Sequence, residues 1–318
     1  MSQPLIPLVV LCGPTASGKT ALAVSLAQAL DAEVLSADSM QIYRHMSIAT
    51  AKPTSAEKQG VVHHMMDFLP PACSYSVAQY LADARRTIPE IVGRGKRVLV
   101  CGGTGLYISA LVDNLQFEPE SQSDLRQRLS EEAHTQGADA LLKQLAELDP
   151  QSAAALHPNN VGRIIRALEI NLKFGHTVEQ HNAQSRQQPS PYRSLMIGLD
   201  FDDREALYRR IDRRVDQMLA QGLVAEATDF YKNFGGCKTA AQAIGYKELR
   251  PYLENKLPLA DCVENLKRAT RNYAKRQLTW FRRDKRIVWL KPDLMSENEL
   301  FCKALDLCVK FYENDGKR

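Results

Sequence analysis

The chain has 318 residues, 44% of them hydrophobic and 25% charged, with a formal net charge of +4. That is the composition of a globular protein with one large domain or two modest ones. No apolar run approaches the ~18 residues of a membrane span, so no membrane partner is expected. The N-terminal MSQPLIPLVVLC lacks the basic start and small-residue cleavage site of a secretion signal. The seven cysteines are an odd count without a C-x-x-C pair, and Cys302 and Cys308 have no histidine nearby. A reduced, cytoplasmic location without a structural metal follows as the expectation.

Charge is concentrated in one place. Lys267 to Arg286 carries nine basic residues and one acid, Asp284, so the remainder of the chain is net acidic. Such a stretch is either a solvated helix face or a surface for a polyanion, nucleic acid first among them.

In chain order, Leu5 to Cys12 is an apolar run of strand type, and Ala21 to Leu30 is of helix type. Between them, Gly13-Pro14-Thr15-Ala16-Ser17-Gly18-Lys19-Thr20 matches G-x-x-x-x-G-K-[ST], a phosphate-binding loop. Its backbone amides and the helix start face an anion, Lys19 adds a point charge, and Thr20 offers a hydroxyl to Mg²⁺. The motif leaves open whether the phosphate belongs to a nucleotide. A second strand, Glu33 to Ser36, runs into Ala37-Asp38-Ser39-Met40-Gln41. Asp38 then lies beyond the carboxyl end of a strand, where open parallel sheets bind ligands. There it can ligate Mg²⁺, accept a proton, or cap the next helix.

Val77 to Val92 has helical periodicity, and Arg97 to Cys101 is a third strand running into Gly102-Gly103-Thr104-Gly105. Nucleotide-hydrolysing P-loop proteins commonly end a neighbouring strand with a metal-holding Asp, and none follows here. The glycines either admit a ligand or make a turn with φ > 0, and Thr104 offers a hydroxyl to the same crevice.

From about Phe117 the texture becomes helical, rich in Gln, Glu, Ala, Leu and Arg up to Lys173, with a polar linker expected at Glu179 to Pro191. Within it, Gly162-Arg163-Ile164-Ile165-Arg166 places two arginines on one helix face, although Arg166 can also pair with Glu169. Ser194 to Leu199 is strand-like again, long helices continue to about Phe281, and Ile287 to Leu290 is a last short strand. Arg209, Arg210, Arg213 and Arg214 cluster beside Asp212 and Asp216. Gln242-Ala243-Ile244-Gly245-Tyr246-Lys247 mixes polar side chains, a ring and a glycine. Lys275-Arg276-Gln277-Leu278-Thr279-Trp280-Phe281-Arg282 interleaves cations with aromatics, as RNA contacts do, unless the rings are core residues. His63 and His64 have no ligand spacing and are expected to be structural. The fold class expected is α/β: a P-loop NTPase-like core with a parallel sheet, residues 1–116 and 194–318, interrupted by an all-helical insertion, residues 117–193.

Together the strings GPTASGKT, DSMQIY, ATAKP, GGTGLY, HPNNVGRIIRALE, QAIGYKE and KRQLTWFR resemble one family along nearly the whole chain, the tRNA dimethylallyltransferases or isopentenyl-tRNA transferases. GGTGLY and KRQLTWFR are far more specific than the phosphate loop. Ala49 stands where the family commonly has glycine, and Asn160 where it has aspartate; neither is a proposed catalytic group. A zinc-finger extension of some eukaryotic relatives is missing, which makes the chain resemble the bacterial type.

The resemblance implies transfer of a five-carbon prenyl group from dimethylallyl diphosphate to N6 of adenosine 37, beside the tRNA anticodon, with release of pyrophosphate. The loop Gly13–Thr20 would then cradle a diphosphate, with Mg²⁺ on Thr20, and Arg214 and Thr104 would contact the same group. Burying five apolar carbons is worth about 4 kcal/mol at ~0.8 each, enough to favour the prenyl compound over inorganic pyrophosphate. Asp38 becomes the general base that takes the N6 proton. By the same resemblance Asp38, Ser39, Met40, Gln41, Thr104, Arg126, Gly162–Arg166, Gln242–Lys247 and Lys275–Arg282 contact tRNA and the insertion grips the anticodon stem; a monomer is expected, although the sequence does not itself give the oligomeric state. Two rivals stand beside this reading. A P-loop small-molecule or nucleoside kinase would consume ATP and place a carboxylate after a neighbouring strand. A non-catalytic RNA-binding module would leave the phosphate loop without a purpose.

Overall fold

The structure is a computed structural model that describes residues 5–117, 124–237 and 239–314. Residues 118–123, where the helical stretch was expected to begin, lie outside the described residues, as do the first four residues of the N-terminus. Strand β1 (Ile6–Cys12) leads into helix α1 (Lys19–Leu30), then β2 (Ala32–Ser36), the short α2 (Ser55–Lys58) and the two-residue β3 (His63–His64). Next come α3 (Val77–Gly93), β4 (Arg97–Gly102) and α4 (Gly105–Val112). Helices α5 (Leu125–Gln136), α6 (Ala138–Leu148), α7 (Pro150–Ala155), α8 (Val161–Phe174) and α9 (Val178–Ser185) follow. The chain then returns to a strand at β5 (Tyr192–Leu199), continues through α10 (Arg204–Ala220), α11 (Leu223–Phe234), α12 (Tyr246–Leu253) and α13 (Leu259–Phe281), and closes with β6 (Ile287–Leu290) and α14 (Glu297–Glu313).

All pairings in the six-stranded sheet are parallel, in the order β3-β2-β4-β1-β5-β6. Parallel strands are covered on both faces, so they read as continuous apolar runs. Leu8 to Cys12 of β1 and Leu99 and Val100 of β4 are fully buried. From β1 the chain steps through β2 to the β3 edge, then turns back through β4 and across β1 to β5 and β6. The register aligns Cys12 with Gly102 and with Gly198, and Ser36 with Cys101. The loops after β1, β2 and β4 therefore emerge together at the carboxyl edge, where such sheets bind ligands.

The chain divides into two compact units, residues 1–112 with 191–318 and residues 113–190. The first holds the sheet. The second is helical, with a core of Leu129, Leu141, Leu145, Ile164, Ile165 and Leu168. Its buried Asp149 caps α7 through the Ser152 amide (3.0 Å) and also accepts from the Val178 amide (2.9 Å), joining two helix starts. The polar linker expected at Glu179–Pro191 is corrected here, because its first half is α9. A capping box explains it: Thr177 Oγ1 accepts from the Gln180 amide, and Gln180 Oε1 from the Thr177 amide at 2.9 Å. Such a T-x-x-Q signal outweighs polar composition.

Candidate active site

The phosphate loop is shaped by contacts from its own chain. Gly13 and Gly18 take φ of +149° and +92°, and a side chain on Gly13 would meet the Leu199 carbonyl at 2.9 Å. Lys19 Nζ donates to the Pro14 carbonyl (3.0 Å), Arg210 Nε to the Ala16 carbonyl (2.9 Å) and Arg214 Nη1 to Thr15 Oγ1 (3.1 Å). The Thr15 amide donates to Gln277 Oε1 (2.8 Å), whose Nε2 donates to the Gly103 carbonyl (2.9 Å). Gln277 thus pins the phosphate loop to the loop after β4. Ser17 Oγ is buried without a partner, and Thr20 Oγ1 makes no hydrogen bond among the described residues.

Electrostatics mark this as an anion site. Burial holds the Lys19 ammonium below its ordinary range, and the nearby Arg214 charge pushes the same way. Burial lowers Arg214 as well. Neither cation has an ion pair among the described residues, so each carries a desolvation cost that an incoming anion would offset. The neighbouring thiols supply no counter-charge, since burial pushes Cys101 up to about 11 and Cys12 to about 12.

Asp38 is held in place rather than free. Its Oδ1 accepts from the amides of Met40 (2.9 Å) and Gln41 (3.2 Å), while Oδ2 has no partner among the described residues. No helix follows, so the capping alternative becomes an Asx-type turn over residues 38–41. Thr104 Oγ1 accepts from the Ser39 amide (3.0 Å), and Gln41 Nε2 donates to the carbonyls of Thr50 (3.1 Å) and Ala51 (3.2 Å). One carboxylate oxygen is therefore anchored and the other is left for a ligand.

The glycines after β4 do not have positive φ, which corrects that alternative. Close approach demands them. A Cβ on Gly102 would lie 2.1 Å from the Ala37 carbonyl oxygen, on Gly103 2.2 Å from Gln277 Nε2, and on Gly105 2.2 Å from the Trp280 ring. The loop comes close to its own chain, not only to a ligand, and Gly102 lets the Asp38 turn sit against β4.

Phosphate loop and Asp38 turn border one cavity of about 270 Å³. Of the residues expected from sequence, it brings together Thr15, Lys19, Thr20, Asp38, Ser39, Met40, Gln41, Arg214, Gln242, Ala243, Ile244, Gly245, Lys247, Arg276 and Gln277. Other walls were missed: Ile211, Val215 and Met218 from α10, and Leu266, Thr270 and Tyr273 from α13. Ile211 and Met218 lie three and four residues from Arg214, and Leu266, Thr270, Tyr273 and Gln277 follow at steps of four, three and four, which was the available signal. The first of these residues form an apolar wall beside the two cations. Burial, with Asp38 nearby, raises the Tyr273 phenol above its ordinary range and keeps it protonated.

Other expected contacts sit differently. Thr104 does not line the cavity; its hydroxyl holds the Asp38 turn. The side chains of Ile164, Ile165, Ala243, Tyr246, Gln277 and Phe281 are buried in the chain's own cores. Direct contact of the Ile164, Ile165, Tyr246 and Phe281 side chains with a macromolecule is therefore corrected to support of their neighbours, whereas Ala243 and Gln277 reach the cavity. Trp280 stays 40% exposed, donating to Ser109 Oγ at 3.3 Å. Lys275, Arg276 and Thr279 are exposed, and Leu278 is half-buried. Arg282 grips the buried Asp200 at 2.8 Å. In the helical unit, Gly162 and Arg163 start α8, and Arg126 holds the buried Glu169 at 3.0 and 2.6 Å; Arg166 is 3.7 Å from the same carboxylate.

Asp200 also bears on the kinase rival. It follows β5, the other neighbour of β1, so a carboxylate does end an adjacent strand. Arg282, Lys291 and the Phe201 amide occupy it, and it does not line the cavity. Its position is that of a structural ion pair, not of a metal ligand.

Residues 41–284 match the family model described as IPP transferase, and residues 6–67 match that of Isopentenyl transferase. The chain belongs to the IPP transferase family. Among relatives, it is 47% identical over 285 residues to a tRNA dimethylallyltransferase of Bacillus subtilis, covering 89% of this chain and 90% of that one. It is 44% identical over 315 residues to tRNA dimethylallyltransferase 1 of Pelobacter propionicus, covering 98% and 100%. The solved tRNA isopentenylpyrophosphate transferase of Bacillus halodurans superposes with a TM-score of 0.73 at 40% identity, covering 98% of each chain. A eukaryotic dimethylallyltransferase solved acting on tRNA gives 0.83 at 29% identity, over 97% of this chain and 80% of that one. In this IPP transferase the phosphate loop, the Asp38 turn and the α10–α13 walls enclose one site.

Proposed function

We propose that the chain transfers the dimethylallyl group of dimethylallyl diphosphate to N6 of adenosine 37 in tRNA and releases pyrophosphate. The carrying observation is the cavity itself, with two recessed, unpaired cations at one side, an apolar wall beside them and one unoccupied Asp38 oxygen. A non-catalytic RNA-binding module has no use for the buried cations, and a P-loop small-molecule or nucleoside kinase would transfer phosphate from ATP instead.

The loop from Gly13 to Thr20, with Lys19 and Arg214, binds the diphosphate and steadies the charge that grows on it as the allylic C–O bond breaks. Ile211, Val215, Met218 and Leu266 take the five-carbon chain and keep water from the electron-poor carbon. The N6 lone pair forms the new C–N bond, and its proton passes to Asp38, whose Oδ1 is fixed by two amides. Thr104, through the Ser39 amide, and Gln41, through the Thr50 and Ala51 carbonyls, hold that turn. The adenine reaches the cavity by leaving its stack, which costs a few kcal/mol at most in a loop.

Mg²⁺ fits the residues present. Among the described residues no cluster of three His, Cys, Asp or Glu side chains is placed to hold a metal. Mg²⁺, however, needs only one or two protein oxygens when it rides on phosphates. Thr20, whose hydroxyl makes no hydrogen bond among the described residues, would hold it, in the same loop as the orphaned Ser17 hydroxyl. When bound it would neutralise charge on the departing diphosphate.

The exposed cations of α13, with Gln242 to Lys247 at the rim, are the surface for the anticodon loop, and the helical unit takes the anticodon stem through Arg163 and its neighbours. No helix among the described residues is long and apolar enough to cross a membrane, and a cytoplasmic monomer is part of this reading. The test is incubation with labelled dimethylallyl diphosphate and unmodified tRNA. Label on adenosine 37 is expected; phosphate transfer from ATP without prenylation would contradict it.

A further inference from the structure

Glu226, on the first turn of α11, is absent from every motif above and does not line the cavity, yet its carboxylate accepts four hydrogen bonds. Oε2 accepts from the amides of Ser47 (2.8 Å) and Ile48 (2.7 Å). Oε1 accepts from the Ala49 amide and from Tyr246 Oη, both at 2.9 Å. Three successive amides, far away in sequence, and a phenol thus converge on one side chain. These partners belong to two separate rims of the cavity. Residues 47–52 form a compact turn whose Ala49 and Thr50 line it, and Tyr246 follows the lining segment Gln242–Gly245. The rims also touch: a Cβ on Gly245 would lie 3.3 Å from that of Ala49. The same turn presents the Thr50 and Ala51 carbonyls to Gln41, whose own amide donates to Asp38 Oδ1.

We propose that Glu226 is a positioning residue for the transfer step: it clamps the 47–51 turn to the start of α12, and through Gln41 it sets the orientation of Asp38. This rests on the proposed reaction for its kinetic consequence, but the clamp can be observed without it. An ionised carboxylate accepting four hydrogen bonds is the strong form of the interaction. A neutral amide in its place offers one oxygen to two groups of donors and sets an NH₂ against the rest. The phosphate loop shares none of these contacts, so its affinity for anions should not depend on them.

The experiment compares wild type with Glu226→Gln and the milder Tyr246→Phe in the full-length chain. Three readouts are taken: amide exchange at Ser47, Ile48 and Ala49, binding of inorganic pyrophosphate, and steady-state transfer to unmodified tRNA. For Glu226→Gln, exchange at the three amides should rise about tenfold or more. Turnover should fall about 10- to 100-fold, as displacements near 1 Å produce, with KM for dimethylallyl diphosphate and pyrophosphate binding within about twofold. Tyr246→Phe should lose about two- to fivefold in turnover with the same unchanged binding. Unchanged exchange, or turnover within twofold of wild type in both variants, overturns the proposal. So does a parallel loss of pyrophosphate binding and turnover in Tyr246→Phe, which would make the contact one of general stability. Wild type that binds pyrophosphate but transfers no prenyl group would contradict the proposed function alone, because exchange at the three amides would still decide the clamp.

Discussion

Among the described residues, Lys19 and Arg214 at the phosphate loop are recessed and have no carboxylate partner, whereas along α13 and just beyond it four of nine cations are tied down. Lys267 pairs with Asp216, Arg271 with Asp212, Arg282 with Asp200 and Arg286 with Asp284. The two regions look alike as strings of basic residues. In the first, positive charge is kept unpaired at a cost, which suits a small, highly charged ligand. In the second, pairing leaves Arg268, Lys275, Arg276, Arg283 and Lys285 exposed, a sparser and solvated surface that suits a long polyanion. Asp212 and Asp216 sharpen the lesson, since they neutralise α13 across the helix pair and leave Arg214, on their own helix, unpaired.

Substitution at the first region should have the largest effect. Lys19→Met is expected to lower the transfer rate by about a thousandfold, at the upper end for loss of one charge-stabilising donor. Because burial penalises the Lys19 charge, the ligand-free variant should melt no lower than wild type, and pyrophosphate should raise the Tm of wild type only. A large drop in its Tm would mean that Lys19 is structural and would break the contrast.

At the second region, Lys275→Ala with Arg276→Ala should weaken tRNA affinity about tenfold and flatten the log–log salt slope by about 0.7–0.9 for each phosphate no longer neutralised. Lys267→Ala with Arg271→Ala removes equal charge from paired positions, so it should change the slope less. Equal slopes for both double variants would show that pairing does not sort these cations.

The smallest effect is expected far from either region, at Glu33. Arg94 hydrogen bonds hold its carboxyl below the ordinary glutamate range against the opposing effect of burial, and His64 adds to the lowering at 2.5 Å. A depressed carboxyl contributes stability above the unfolded-state pKa of about 4.3 and loses it as pH falls through the lower folded value. Glu33→Gln should therefore cost a few degrees of Tm at pH 7, and the gap from wild type should close below about pH 4. The transfer rate at 25 °C should be unchanged.

Local signals explain what was legible in the sequence. The buried run of β1, the phosphate loop and α1 announce themselves because motif, apolar continuity and helix start are adjacent. Asp38 was placed by the strand before it, although its Asx-type turn in place of a helix cap was not. Tertiary relations stayed hidden. Nothing in GGTG says that the glycines make room for Ala37, Gln277 and Trp280 rather than for positive φ. The apolar wall on α10 and α13 is ordinary helical spacing until the two helices face one cavity. Asp200 follows the β5 run without a motif of its own, and the T-x-x-Q capping signal of α9 lies inside a strongly polar stretch. Glu226 had no signal at all, since its partners are backbone amides.

The most direct test of the whole account is single-turnover transfer of labelled dimethylallyl to unmodified tRNA by wild type and Asp38→Asn, with tRNA binding measured alongside. Asp38 Oδ1 is anchored by two amides and Oδ2 has no partner among the described residues, so on the proposed mechanism the variant should bind tRNA almost normally and lose about two decades or more of rate. A near-normal rate with Asp38→Asn would contradict it and reduce Asp38 to a residue that shapes its own turn.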